Sequence, residues 1–268
     1  MKLRDSRVLI TGAGSGIGRA LALELARRGA RLVLVGRNRE RLVQAASEIR
    51  GLKGDAFVCV LDLAGSAGHD AAVGFCAEEL GGLDILVNNA GTVGFGDFAT
   101  QQPSEIDNLV RTNLTGPLLL TRAALPGMIA RGQGQIVNVG STFGAIAFAH
   151  FAAYSATKFA LRGFSEALRR ELEGTGVSVT YISPRATRTG ANPEAVYRIT
   201  EQAGNAVDTP EAIAPRIAAA IESGRRELQI GAPESVFTRI NALFPRIVDA
   251  ALRKQNRAAR EVISGAAR

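Results

Sequence analysis

The chain has 268 residues, 46% of them hydrophobic, enough to bury one sizeable core in a single α/β domain. No apolar run approaches the ~20 residues of a membrane-crossing helix. His69, His150, Cys59 and Cys76 show no metal-ligand spacing, so no metal centre is expected and the cysteines read as buried reduced thiols. The formal charge of +7 is concentrated: from Phe237 to Arg268 seven basic residues face two acidic ones, a net +5, which leaves +2 for the body and excludes a nucleic-acid surface there.

Met1–Ile10 is charged and runs directly into a strand-like segment, unlike a secretory signal, so a cytoplasmic location is expected. Strand-like runs follow at Arg7–Thr11, Arg31–Val35, Ala56–Leu61, Ile85–Asn88, Gln135–Val139, Val177–Ile182 and Glu227–Ile230. Helix-like stretches lie between them at Gly18–Arg28, Glu40–Ile49, Gly68–Leu80, Pro103–Arg131, Tyr154–Glu173 and Pro210–Ser223. The strands are almost continuously apolar, as strands covered on both faces are. This alternation predicts an α/β fold with a doubly wound, Rossmann-type parallel sheet. The expected division is a Rossmann-type domain over residues 1–232 and a basic amphipathic helical tail over 233–268. Arg185–Val207 is the one long stretch with weak periodicity.

Thr11-Gly12-Ala13-Gly14-Ser15-Gly16-Ile17-Gly18 follows the first strand and opens the first helix. Glycines let the backbone turn sharply and approach a pyrophosphate without Cβ clashes. A helix N-terminus then offers free N–H groups to the phosphates. This position favours a nucleotide site over a mere tight turn. At the end of the second strand, where NAD-preferring enzymes hold the ribose with Asp or Glu, the sequence reads Val35-Gly36-Arg37-Asn38-Arg39. No carboxylate is there to repel a 2′-phosphate, and Arg37 can make charge-assisted bonds to one. NADP(H) is therefore expected ahead of NAD(H). Solvated helix-start arginines and a relaxed preference stay open as alternatives.

Asn113, Ser141 and Tyr154-Ser155-Ala156-Thr157-Lys158 lie farther along. Tyr154 and Lys158, four apart on a helix, share a face. An ammonium close to a phenol is expected to lower a pKa that is ~10 unaided. Ser141 ends the fifth strand, where open α/β sheets place their ligands, and its hydroxyl suits a substrate carbonyl. A lone Tyr–Lys pair is usually a surface pair; its coincidence with the glycine turn and the strand-end serine points to catalysis.

Over about residues 5–232 the chain resembles the short-chain dehydrogenase/reductase family, through Thr11–Gly18, Asp62, Asn88-Asn89-Ala90-Gly91, Asn113, Ser141 and Tyr154–Lys158. The resemblance implies that Tyr154 is the general acid in reduction and the base in oxidation. It implies that Lys158 lowers the Tyr154 pKa and binds the nicotinamide ribose, that Ser141 polarises the substrate carbonyl, and that Asn113 holds a proton-relay water. Asp62 would contact adenine, with Leu63 beside it. Asn89, Ala90, Gly91, Pro184, Thr187 and Thr189 would complete the cofactor site. The family pattern Pro-Gly is here Pro184-Arg185, which puts the local backbone in question. Arg185 reads either as an outward-pointing residue or as a cation for an anionic or carrier-linked substrate.

Phe143, Ile146 and Phe148 on one side, with Asn192, Tyr197, Ile199 and Val207 on the other, outline a substrate pocket suited to a hydrophobic ketone or alcohol, such as a 3-oxoacyl group. In the tail, Phe237, Ile240, Phe244, Ile247, Val248, Ala251 and Leu252 recur at helical spacing, and Pro245 should divide them into two helices. That element docks either on the body or a second subunit, or on an anionic membrane surface as a peripheral contact. Family resemblance implies a homodimer or homotetramer paired through the Pro103–Arg131 and Tyr154–Glu173 helices, the latter bearing Phe159, Gly163, Leu168 and Leu172. An NADP-binding regulatory or sensor protein without turnover is the rival reading; the full set of Asn113, Ser141, Tyr154 and Lys158 speaks against it.

Overall fold

Alternate residues of the apolar strands serve two different cores. The computed structural model describes residues 2–190, 192, 194–202 and 206–266. Its strands are β1 (Arg7–Thr11), β2 (Arg31–Gly36), β3 (Ala56–Val60), β4 (Ile85–Asn88), β5 (Gly134–Val139), β6 (Val177–Ser183) and β7 (Glu227–Gln229). Its helices are α1 (Gly16–Arg27), α2 (Arg39–Gly51), α3 (His69–Leu80), α4 (Pro103–Val110), α5 (Gly116–Ala130), α6 (Ala152–Glu171), α7 (Glu194–Gln202), α8 (Pro210–Glu222), α9 (Ala232–Leu243) and α10 (Pro245–Ala266). All strand pairs are parallel, in the order β3-β2-β1-β4-β5-β6-β7.

On one face, Val8 and Ile10 of β1 meet Leu21 and Leu25 of α1 and Ile217 and Ile221 of α8. On the other, Leu9 meets Cys76 of α3, Leu120 and Met128 of α5 and Leu168 of α6. β2 splits the same way, Leu32 and Leu34 against Val33 and Val35. Each such side chain, fully buried, contributes roughly 1.5–3 kcal/mol, and a one-residue slip would exchange the two sets and mismatch the packing on both faces. Of the cysteines, Cys76 is buried, Cys59 is partly exposed, and both are free.

Three expectations need correction. The helix over Pro103–Arg131 is interrupted by a π-helical segment, Arg111–Thr115, that carries Asn113; Pro117, one residue into α5, has no N–H to continue an α-helical ladder back to Asn113. Arg185–Val207, where the period was weak over the whole stretch, contains one short amphipathic helix, α7, around the buried Tyr197. Phe159, Gly163, Leu168 and Leu172 do not share a face of α6: the first two are exposed, whereas Leu168 and Leu172 are core residues.

Pro245 does separate two terminal helices. α9 packs on β7 and α10, and α10 reaches α7. Val248 and Ala259 are buried, and Asn241 Nδ2 donates to the Ala145 carbonyl at 3.0 Å. Leu243, Phe244 and Ile247, at the junction, are exposed. The side chains of Ile199 and Lys254, and Arg268 altogether, lie outside the described residues. Among the described residues no helix is long and apolar enough to cross a membrane.

Candidate active site

Strand order reverses between β1 and β4, and the C-terminal ends of such a pair open a crevice. A cavity of about 800 Å³ begins there and continues past the ends of β5 and β6 to α9 and α10.

Its inner wall is the glycine turn. Gly12 takes φ +67°, and a Cβ on it would lie 2.9 Å from the Ala90 Cα. A Cβ on Gly18 would stand 2.2 Å from the Gly12 carbonyl oxygen and 2.5 Å from Asn89 Nδ2, so this residue fixes how closely α1 meets the turn. Gly14, Ser15, Gly16 and Ile17 line the cavity. Thr11 and Gly18 lie behind that wall: Thr11 Oγ1 accepts from the N–H groups of Asn89 and Ala90, each at 3.0 Å, and Asn89 Nδ2 donates to the Thr11 carbonyl at 2.9 Å. These bonds bring Asn89, Ala90 and Gly91 to the cavity opposite the turn. Ser15 caps α1 without a side-chain bond, and no acid occupies the first turn, so the helix end is electrostatically open to an anion. Two buried hydroxyls near Asn113, those of Thr92 and Thr112, have no partner among the described residues, and both residues line the cavity. Glycine cradle, open helix end and orphaned hydroxyls together fit a dinucleotide.

Arg37 lines the cavity as expected, and Asp62 and Leu63 line it at the end of β3. Asp62 Oδ1 is bonded to the Ala64 N–H at 3.0 Å. Arg41, not foreseen, lines the cavity as well, whereas Arg39 does not. Asn38 caps α2 by accepting from the Arg41 N–H at 2.8 Å, and a Cβ on Gly14 would lie 3.1 Å from the Arg41 Cβ, so the first turn of α2 brings Arg41 against the glycine turn. Asp62 is the only acid among the described lining residues.

Ser141, Tyr154 and Lys158 meet at the middle of the cavity. Ser141 begins a short 3₁₀ turn after β5, and its Oγ accepts from the Phe143 N–H at 3.1 Å, which leaves its proton free to donate. Tyr154 and Lys158 stand one turn apart on α6. Lys158 Nζ lies 5.7 Å from the Tyr154 ring centroid and donates to the Val139 carbonyl at 3.2 Å. Burial pushes the Tyr154 phenol up to about 12, with a hydrogen bond from Ser141 opposing that rise. Burial brings the Lys158 ammonium down to about 8. Desolvation is the largest cause of both shifts, and what opposes the rise of the phenol is the hydrogen bond from Ser141. Asn113 is fully buried and lies behind the wall. Its Oδ1 accepts from the Thr92 N–H and its Nδ2 donates to the Thr92 carbonyl, both at 2.8 Å. A Cβ on Gly91 would come within 3.2 Å of Asn113 Oδ1 and 3.6 Å of Lys158 Nζ, so the two groups converge beneath Gly91.

Pro184, Thr187 and Thr189 also line the cavity. The Pro184 carbonyl accepts from the Thr142 N–H at 3.0 Å. Thr187 and Thr189 are tied through Tyr197, whose hydroxyl donates to the Thr187 carbonyl at 3.3 Å and accepts from the Thr189 N–H at 3.2 Å. Arg185 neither points outward nor strains the backbone, since its φ is not positive. Its Nε and Nη2 each bond one carboxylate oxygen of Asp208 at 2.8 Å. This fork ties Arg185 to Asp208, at the two ends of the segment from Ala186 to Val207. Phe143, Ile146 and Phe148 line the cavity as expected, joined by Phe151 and Val196.

Comparison with known proteins agrees with this architecture. The short chain dehydrogenase family model matches residues 6–198. The chain is 34% identical over 259 residues to the uncharacterized oxidoreductase YxnA of Bacillus subtilis, covering 94% of this chain and 73% of that one. It is 34% identical over 227 residues to the ketoacyl reductase HetN of a Nostoc species, covering 84% of this chain and 78% of that protein. Among solved structures, a metagenomic short-chain oxidoreductase in complex with NADP superposes with a TM-score of 0.73 at 33% identity, covering 86% of this chain and 98% of that one. The fold is also that of a Burkholderia phymatum short-chain dehydrogenase/reductase (TM-score 0.85, 22% identity, covering 92% and 96%). The chain belongs to the short-chain dehydrogenase family. It is an oxidoreductase with a nucleotide-binding, Rossmann-type fold.

Proposed function

We propose that the protein interconverts a ketone and a secondary alcohol with NADP(H), Tyr154 acting as the general acid in reduction. The observation that carries this reading is the convergence of Ser141, Tyr154 and Lys158 on one cavity whose inner wall fits a dinucleotide. When bound, the reduced nicotinamide supplies the hydride that reduces the carbonyl carbon, and is itself oxidised. Ser141, its acceptor side already used by the Phe143 N–H, donates to the carbonyl oxygen. Tyr154, neutral far above pH 7, gives that oxygen its proton. Lys158 stabilises the phenolate left behind and stands ready to replace the proton. The Asn113 side chain is occupied by Thr92, so its backbone carbonyl, which Pro117 cannot bond, is the group left to hold a relay water. Arg37 and Arg41, with no carboxylate at the end of β2, support NADP(H) over NAD(H). The NADP in the metagenomic relative and the ketoacyl reductase HetN support the same reading.

The test is NADPH oxidation across a ketone panel, beside Tyr154→Phe. Wild-type turnover lost in the variant is the expected result. Tight NADP binding with no turnover of any carbonyl would favour the sensor reading instead.

Exposed Val110 of α4 and Phe159 of α6 support assembly as a homodimer or homotetramer, measurable by light scattering. The exposed Leu243, Phe244 and Ile247, with Arg239 and Arg246 beside them, support peripheral contact with an anionic membrane. Co-sedimentation with anionic but not neutral vesicles is expected.

A further inference from the structure

The outer end of the cavity is closed by chain far downstream of the catalytic turn. Phe237 of α9 and Ala251, Leu252 and Ala258 of α10 line the same cavity as Tyr154. Facing them is an aromatic stack that begins at the catalytic phenol: Phe143 meets Tyr154 at 5.7 Å between centroids and Phe148 at 4.5 Å. The wall is anchored. Val248 and Ala259 bury the adjoining side of α10, α10 packs on α7, and Asn241 holds α9 to Ala145, four residues after Ser141. Beyond Lys158, the one charged side chain among the described residues lining this end is Arg185, which Asp208 holds with both oxygens. A polar substrate tail would lose its water here for little in return, whereas an apolar chain gains by burial.

The geometry points to a distal subsite, walled by α9 and α10, that binds the apolar chain of the substrate and sets its preferred length. This inference rests on the carbonyl-reducing reading given above and adds the terminal helices as its specificity element. Polar substitution on the cavity side of that wall should penalise long substrates more than short ones.

The experiment is kcat/KM for straight-chain methyl ketones from butanone to decanone, with wild type, Leu252→Asp, Phe237→Asp and Leu243→Asp. Leu243 is 73% exposed and does not line the cavity. Wild-type kcat/KM should rise about fourfold per methylene until the subsite is full, the equivalent of about 0.8 kcal/mol per group. The ratio of long to short substrate should fall at least roughly tenfold in Leu252→Asp and Phe237→Asp, on the same burial scale, and hold in Leu243→Asp. A flat wild-type series, or an unchanged ratio in both cavity-side variants with native circular dichroism, overturns the subsite and leaves ketone reduction standing. If no ketone is turned over at all, the functional reading falls, and calorimetric binding of octanone against butanone decides the subsite. Tighter octanone binding that Leu252→Asp abolishes upholds it; equal binding of the two ketones refutes it.

Discussion

The inner end of the cavity is a backbone surface, with clearances at Gly12 and Gly18 that a single methyl group would violate, while the outer end is a side-chain surface of aromatic and aliphatic groups on late helices. Rigid main-chain groups, whose hydrogen bonds tolerate little displacement, suit a ligand held in one fixed pose. Side chains on late helices can change without disturbing the sheet. The two ends meet at Ser141, Tyr154 and Lys158, where strand-end and helix geometry fix the chemistry.

Substitutions on either side of that meeting point sharpen the contrast. Tyr154→Phe removes the proton donor itself and should lower kcat by about 1,000-fold, with NADPH binding retained in a fluorescence titration. At the inner end, Arg37→Ala with Arg41→Ala should raise the KM for NADPH by at least roughly 100-fold and leave that for NADH nearly unchanged, the scale of two lost charge-assisted bonds. Equal losses for both coenzymes would break the claim that this end reads the 2′-phosphate.

Arg185→Ala tests the cover between the two ends. Losing the partly exposed fork to Asp208 should destabilise the protein by about 1–2 kcal/mol in urea titration, less than for a fully buried pair. It should raise substrate KM without altering any preference for charged over neutral ketones.

The smallest effect is in the pH profile. Lys158 has a folded-state value of about 8, below its usual 10.5, so between those values the unfolded chain binds the extra proton. Stability should therefore rise with pH across that window. Ketone reduction should instead decline as pH rises through about 8, because the ammonium that steadies the phenolate is lost; Tyr154, protonated to about 12, adds no limb there. A rate profile flat from pH 7 to 9 would count against this assignment.

Much of the inner end was legible in the sequence because its determinants are local. Glycines sit at fixed spacing after a strand, and Tyr154 and Lys158 share one helical turn. β1, β2 and β4 were visible because both faces of the sheet are covered there, which makes their runs almost wholly apolar; the edge strand β7, Glu227–Gln229, keeps only Leu228 buried. Arg41 was missed because its direction depends on where Asn38 starts α2. The fork between Arg185 and Asp208 was not visible because the partners lie 23 residues apart. The outer wall was hidden for the same reason at a larger scale. Phe237 and Leu252 show only helical periodicity locally, and which apolar face meets Tyr154's cavity is settled by how α10 returns across α7.

The π-helical turn at Arg111–Thr115 has its own implication for how this site tolerates change in chain length. An extra residue in that turn rotates the downstream helix by about 100° relative to a regular one. Excising Leu114 would remove the extra residue, although Pro117 would still leave one rung of the joined helix unmade. It would also swing Asn113 out of register with Thr92 and Lys158. Indels here should thus yield well-folded, inert protein, the opposite of what helix regularity alone would recommend.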